Sequence, residues 1–463
     1  MRIVLFLSIF FSFLLAGNID IPLDSPIYPQ LERLKTLGII KKSLPTLKPY
    51  NTQVVKSLIK SIDNSYPIKK ELQKELKRYE ISKIDEISLN FYYSDKENIS
   101  LPNKEGKKLK KELNENIKLN MQYIGPQAST VFSPEVMDYK NIKGFRTNKA
   151  YIRFNTENIN FTIGRESLWM GQGKEGTLLL SNNAKALDMI RISSIEPFSF
   201  HPYFHKWLYK IFGKMDFDFL VARLDKYDKI KREDGTIHSG YPKLIGIQFT
   251  FRPYKNFVLG LYKTSIFGGG GRSEDLKTIS ESIIPIGQTE NTGTAKEAGD
   301  QIAGANLAWY MPNRFQPFKL YGEIAGEDSA NNLPSKESYI VGVLFSDIFH
   351  ISGLQTNYEY LHMNSKCHCW YKHHIYLDGY TNRHFIMGHF NGGEGKRGIL
   401  RLKYLQGIKR DFTIAWDHFS YKEDIDSFIF GFRNRINEHL EYKIDSRVNK
   451  NYSWVDFGIK WIF

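Results

Sequence analysis

The chain has 463 residues, a formal charge of +14, and 25% charged against 41% hydrophobic residues. Two cysteines are too few for a disulfide framework. Beyond the first 17 residues no apolar run reaches the roughly 20 residues that a transmembrane helix needs.

The first residues assign the compartment. Arg2 supplies a positive start, and an apolar run of about thirteen residues follows from Ile3 to Leu15. Ala16 and Gly17 are small and offer a cleavage point. Residues 1–17 therefore read as a signal peptide. Asn18 stands where the lipidated cysteine of a lipoprotein would be, so a lipid anchor is not expected. An exported basic chain points to anionic partners, lipopolysaccharide or acidic polysaccharide, and away from nucleic acid.

Residues 18–83 carry helical spacing. Ser25 and Pro26 open a first helix with Leu31, Leu34 and Leu37 on one face, and Gly38 stops it. Asn51 or Thr52 caps a second, with Val54, Val55, Leu58, Ile59 and Ile62. Pro67 starts a third with Leu72, Leu76 and Tyr79. These segments make a small α-helical module, expected in the periplasm.

From residue 84 to 463 the period becomes two. Ile245, Ile247, Phe249 and Phe251 alternate with Gly246, Gln248, Thr250 and Arg252. Phe428, Phe430 and Phe432 do the same, as do Leu440, Tyr442 and Ile444. About seventeen such segments can be placed, each near the 9–11 residues of a tilted membrane strand, and an even count makes eighteen. Alternation alone also fits soluble sandwiches. The last strand decides, with Val455, Phe457, Ile459, Trp461 and a terminal Phe463 on one face. Such a tail resembles the sorting signal of bacterial outer-membrane barrels. The predicted fold is mainly β, a transmembrane antiparallel β-barrel of about 18 strands preceded by the helical module. Mean hydropathy of −0.40 agrees, because half of each strand faces a polar lumen. Residues 198–214, 268–300 and 362–395 read as loops, where binding would reside.

Gly171-Gln172-Gly173-Lys174-Glu175-Gly176 matches the dinucleotide-binding glycine pattern. No strand–loop–helix unit surrounds it, so a glycine-rich loop beside a barrel wall fits better. The run Gly164-Arg165-Glu166-Ser167-Leu168-Trp169-Met170-Gly171-Gln172-Gly173, followed by Gly176 and then Ser181-Asn182-Asn183-Ala184, resembles the capsule assembly Wzi family. Tyr28-Pro29-Gln30-Leu31-Glu32-Arg33-Leu34 is similar to that family's opening segment. The chain departs at Trp169-Met170-Gly171, where the family often has Trp-Gly-Pro-Gly.

The resemblance implies an eighteen-stranded outer-membrane barrel that attaches capsular polysaccharide to the cell surface. Guanidinium and ammonium groups bind acidic sugars, and aromatic rings pack on apolar sugar faces. Arg165, Trp169 and Lys174 offer that mixture, and so do His201, Tyr203, Lys206 and Trp207. The second cluster reads equally as an aromatic belt at the membrane interface. Arg165 reads equally as a lumenal ion pair with a facing carboxylate.

Eight of the 12 histidines fall between His350 and His418. Cys367, His368, Cys369, His373 and His374 are weak metal candidates, because their spacing is no recognised zinc pattern. Oxidation of the two cysteines to a small ring is the competing reading. Neither a Gly-x-Ser-x-Gly elbow nor a His-Glu-x-x-His helix is present. Asp216 and Asp218 alternate with Phe217 and Phe219 and so face a lumen. The expectation is a non-enzymatic, monomeric barrel without cofactor, in the outer membrane with its lipid and lipopolysaccharide. The alternative is a porin or solute-specific channel.

Overall fold

The computed structural model describes residues 17–199, 206–283, 297, 299–330 and 333–463. The expected leader lies outside them except for Gly17, and His201 and Tyr203 lie outside them altogether. Three short helices come first: α1 (Ile27–Thr36), α2 (Thr52–Lys60) and α3 (Ile68–Lys77). Asn51 caps α2, its side-chain oxygen accepting from the Val54 amide at 2.9 Å. Gly38 ends the α1 segment at φ +75°, a left-handed position that glycine takes without a Cβ penalty.

Eighteen antiparallel strands follow. They are β1 (Lys83–Ser94), β2 (Glu112–Ile124), β3 (Ala128–Asp138), β4 (Lys143–Asn155), β5 (Ile159–Glu166) and β6 (Leu187–Ser194). Next come β7 (Lys214–Arg223), β8 (Lys243–Tyr254), β9 (Phe257–Phe267), β10 (Gly299–Met311), β11 (Phe318–Gly326) and β12 (Ser338–Ser346). The last six are β13 (Leu354–His362), β14 (Lys396–Gln406), β15 (Arg410–Tyr421), β16 (Glu423–Arg435), β17 (Leu440–Asn449) and β18 (Ser453–Ile462). The barrel closes because β1 pairs with both β2 and β18, Leu89 lying opposite Ile117 on one side and Ile459 on the other. Closure removes every free strand edge from the wall.

The faces are inverted relative to a soluble sandwich. Phe428 is 66% exposed on the outer wall, while Asp456 is fully buried on the inner one. Phe145, Ile163, Ile190, Val341 and Ile414 are likewise outward and exposed. An apolar exterior around a charged interior is what a lipid-facing wall requires. No helix among the described residues is long and apolar enough to cross a membrane.

Apart from residues 195–213, connections are short at the end where α1–α3 sit, and the longest loops gather at the other. Two of the expected loops carry helices: α4 (Lys206–Phe212) at the short-turn end and α5 (Leu276–Ile283) at the long-loop end. The module is not free-standing. Its core of Leu31, Leu34, Val55, Leu58 and Leu72 is continuous with Ala308, Tyr310, Tyr321 and Ile408 of the barrel. Residues 17–51 enter the lumen, where Leu47 and Lys48 pair with Met170 and Trp169. From the long-loop end, residues 167–186 and 363–395 fold inward around a second apolar core that includes Leu178, Leu179, Trp370, Tyr371 and Tyr380. Alternating strands thus build the wall, while loop segments supply a plug.

Candidate functional site

A chamber of about 610 Å³ remains between module and plug. Its lining mixes Asp24, Glu32 and Lys48 of the module, Lys174 and Glu175 of the plug, and wall residues such as Lys118, Arg401, Lys443 and Lys460. Glu32 takes ammonium groups from Lys174 at 2.6 Å and Lys319 at 2.9 Å. Burial raises its carboxyl, but Lys174, Lys319 and Lys48 outweigh that and hold it well below the usual range. Burial pushes the Lys48 ammonium down to about 8, against the pull of Glu32.

The glycine loop binds an anion, but the anion belongs to the wall. The Gly173 amide donates to Glu323 Oε1 at 2.6 Å and the Leu178 amide to Oε2 at 3.1 Å. The Lys174 and Glu175 amides donate to the two oxygens of Glu359 at 2.6 and 3.2 Å. Tyr262 and Tyr321 hydroxyls complete the two carboxylates. Successive backbone amides form an anion-binding concavity, and glycine is what lets the backbone approach this closely. Gly171 has φ +146°, and a Cβ there would stand 2.2 Å from Glu323 Oε1. A phosphate-cradle pattern therefore serves as a plug anchor.

The remaining motif residues tie loops together. Ser181 Oγ donates to the Gly388 carbonyl at 2.6 Å, and Asn183 Nδ2 to that of Ile386 at 2.9 Å. The Asn182 and Asn183 carbonyls accept from the Glu105 and Gly106 amides, both at 2.8 Å. Ala184 is buried in the plug core. Arg401 of β14 forks Glu175 at 2.8 and 2.7 Å. At Gly164 a Cβ would stand 2.1 Å from the Ala150 carbonyl, so β4 and β5 close tightly there.

Arg165 does form an ion pair with a facing carboxylate, its Nε and Nη2 each donating to Asp188 at 2.7 Å. The pair is not lumenal, however. Arg165 shares the outward face of β5 with exposed Ile163, and Asp188 that of β6 with exposed Ile190. Trp169 is buried, its indole N–H donating to the Gly173 carbonyl at 2.9 Å, so its ring offers no open sugar platform. Lys174 faces the chamber. Trp207 is 62% exposed on α4, which begins at Lys206 at the opposite end of the barrel. The two expected clusters are therefore not brought together.

Cys367 and Cys369 are joined to each other, which removes both as thiolate ligands. His368 instead bonds Glu394 at 3.0 Å. His373 and His374 lie with Glu297 so that one ligand atom from each falls within 4.8 Å of the others. The amide of Ile375 donates to His373 Nδ1 at 3.2 Å, which places the ring's proton on Nε2, the atom facing Glu297.

Two groups escaped the sequence reading. His389 is buried beneath Gly176, where a Cβ would stand 2.3 Å from its ring. Burial, then Arg397, push its imidazole down to about 3. A lowered folded pKa means the unfolded chain takes up the proton first, so stability falls as pH drops from about 6.5 towards 3. Acidifying from pH 7 to 4 should cost on the order of 3 kcal/mol at this residue. The fall in melting temperature over that range should be several degrees larger for the parent than for His389→Gln; equal falls would contradict it.

The second is a hairpin tip at the long-loop end. Thr381 and Asn382 pair with Ile386 and Phe385, leaving Arg383 and His384 as the turn. Both are exposed and left-handed, at φ 54° and 64°. A turn of this kind normally carries Asn-Gly, and non-glycine residues there cost of order 1–3 kcal/mol each. Lys108 lies beside it, its ammonium 5.6 Å from the Phe385 ring centre. A strained tip thus presents a guanidinium and an imidazole to solvent, with the half-buried Lys108 beside them.

The fold and its filled lumen define a class: an outer-membrane β-barrel that is plugged by its own loops at one end and by a helical module at the other. Residues 96–444 match the family model described as capsule assembly protein Wzi, and the chain belongs to that family. Among solved structures, the Escherichia coli outer-membrane protein Wzi is similar over 97% of this chain and 100% of its own, at 18% identity and a TM-score of 0.75. A protein from the cps region of Klebsiella pneumoniae is 25% identical over 200 residues, 43% of this chain and 36% of its own length. The chain thus spans about a third of that relative. A porin of Rh. blastica aligns with 82% of the chain at 9% identity and a TM-score of 0.40.

Proposed function

We propose that the protein holds acidic capsular polysaccharide at the cell surface, with α1–α3 in the periplasm and the long loops outside. The E. coli relative is described as a carbohydrate-binding barrel involved in group 1 capsule assembly, and the same role is assigned here. Export through a leader over residues 1–17 is part of this reading, as is a monomeric barrel among outer-membrane lipid and lipopolysaccharide.

The observation that carries the proposal is the filled lumen beneath a cationic tip. Glu323 and Glu359 anchor the plug across the path that a conducted solute would take. Arg383, His384 and Lys108 stand at the outer surface, where a guanidinium fork and ammonium groups meet carboxylated sugars. Trp169 and Lys174 act below them by keeping the plug in shape, and Arg165 acts on the wall through Asp188. Trp207, exposed on α4, belongs in this reading to the interfacial belt.

Retention of an acidic polysaccharide on immobilised full-length protein tests it. Each charge-assisted contact is worth about 1.5–3 kcal/mol, so Lys108→Glu with Arg383→Glu should weaken retention at least ~10-fold. Unchanged retention would remove the tip as the site.

A further inference from the structure

We propose that the short-turn end carries a binding site for the anionic headgroup of a glycerophospholipid, in the leaflet that surrounds that end of the barrel. Helix α4 lies on the outside of the wall. Phe212 packs on outward-facing Phe251 of β8, with ring centres 5.0 Å apart. Gly213 turns the chain from α4 into β7 at φ +64°, and a Cβ there would meet the Arg252 carbonyl at 1.9 Å. The helix is therefore pinned to the barrel rim. Its Trp207, Tyr209 and Ile211 are 62%, 43% and 56% exposed, a pattern that suits the headgroup boundary of a bilayer.

Between α4, the turn after β8 and the module lies a cavity of about 550 Å³. Its floor includes Pro45, Val54, Leu58 and Pro253, which are apolar. Lys41, Lys42, Lys210, Lys214 and Lys255 surround it, and among the described residues Glu196 is the one carboxylate in the lining. Glu196 stands 4.0 Å from Lys42. Among the described residues no carboxylate comes within 4 Å of Lys41, Lys210, Lys214 or Lys255. Five lysines line the cavity over an apolar floor, beside a helix whose outer side is made for the membrane interface. Charge complementarity selects a phosphate-bearing headgroup, and the apolar floor together with exposed Trp207 and Ile211 selects one that carries acyl chains. The proposal rests on the membrane barrel and not on glycan binding.

Native mass spectrometry of the full-length barrel released from detergent provides the test. Phosphatidylglycerol should remain bound at least tenfold more tightly than phosphatidylcholine. Replacing all five lysines by Gln should abolish that preference and leave polysaccharide retention at the parent level. Removing the same number of charges elsewhere, at Lys70, Lys77, Lys96, Lys111 and Lys422, should leave it intact. Equal retention of the two lipids by the parent would overturn the site, and so would persistence of the preference in the five-lysine variant. Displacement of the lipid by inorganic phosphate at equal concentration would overturn the lipid as occupant, as would tighter retention of lipopolysaccharide than of phosphatidylglycerol. Loss of polysaccharide retention in the parent would count against the glycan reading alone.

Discussion

In a planar bilayer, Glu323→Ala with Glu359→Ala should turn a nearly silent barrel into one with steady conductance steps. The two carboxylates receive four amide hydrogen bonds from residues 173–178, and hydrogen bonds to charged groups are worth about 1.5–3 kcal/mol each. Alanine removes every acceptor at once, and the amides are left facing a chamber that water can fill. The strand pairing of β11 with β12 and of β13 with β14 does not involve these side chains, so the wall should persist. The parent should carry little current, because the module and the plug enter the lumen from opposite ends. Steady steps from the parent would favour the channel reading. A silent double variant would mean that the lumen stays closed without the carboxylates, through the apolar core of the plug around Leu178 and Tyr371 or through the module alone.

The second large effect is on stability. Asp20 lies inside the barrel between two guanidinium groups, accepting from Nη1 and Nη2 of Arg153 and standing 3.5 Å from Arg191. Arg191 in turn holds Asp218. Burial raises the Asp20 carboxyl, but Arg153, with Arg191 and Lys149, outweighs it and holds the group below its ordinary value. Asp20→Asn leaves Arg153, only 1% exposed, without its counter-charge. Losing one partner of a buried pair costs about 3–5 kcal/mol. Because the folded pKa is lowered, the contribution of Asp20 is present above about pH 4 and is lost as pH falls below it. Urea unfolding in micelles at pH 7 should show that loss, and a change below ~1 kcal/mol would contradict it.

The wall was legible because it obeys a local rule. Alternation, an even strand count and the Val455-to-Phe463 face all follow from one side meeting lipid and the other a polar lumen. The same rule could have placed Arg165: it shares parity with Phe161 and Ile163, which marks it as outward. The plug was not legible, since Glu323 and Glu359 meet amides 150 and 185 residues earlier in the chain. A lumenal glutamate is ordinary in a barrel, and nothing local marks one whose partner is a distant backbone. The glycine pattern was visible, but it read as a plain loop beside the wall, and only the packed barrel shows that its amides cradle a carboxylate from a distant strand. Arg383 and His384 went unseen because their signal is conformational: positive φ at an exposed tip has no signature in residue identity. The short helices of the module were read from caps and spacing. Their insertion into the lumen depends on long-range contacts such as Asp20 with Arg153.

Whether this barrel holds polysaccharide or conducts solutes can be read in cells that make an acidic capsule. The quantity to measure is the division of polysaccharide between cell surface and medium, with the chain present, absent, or carrying Lys108→Glu and Arg383→Glu. The polysaccharide should move into the medium when the chain is absent, and the double variant should restore little of the surface-bound fraction. A surface-bound fraction that is the same in all three would contradict the account.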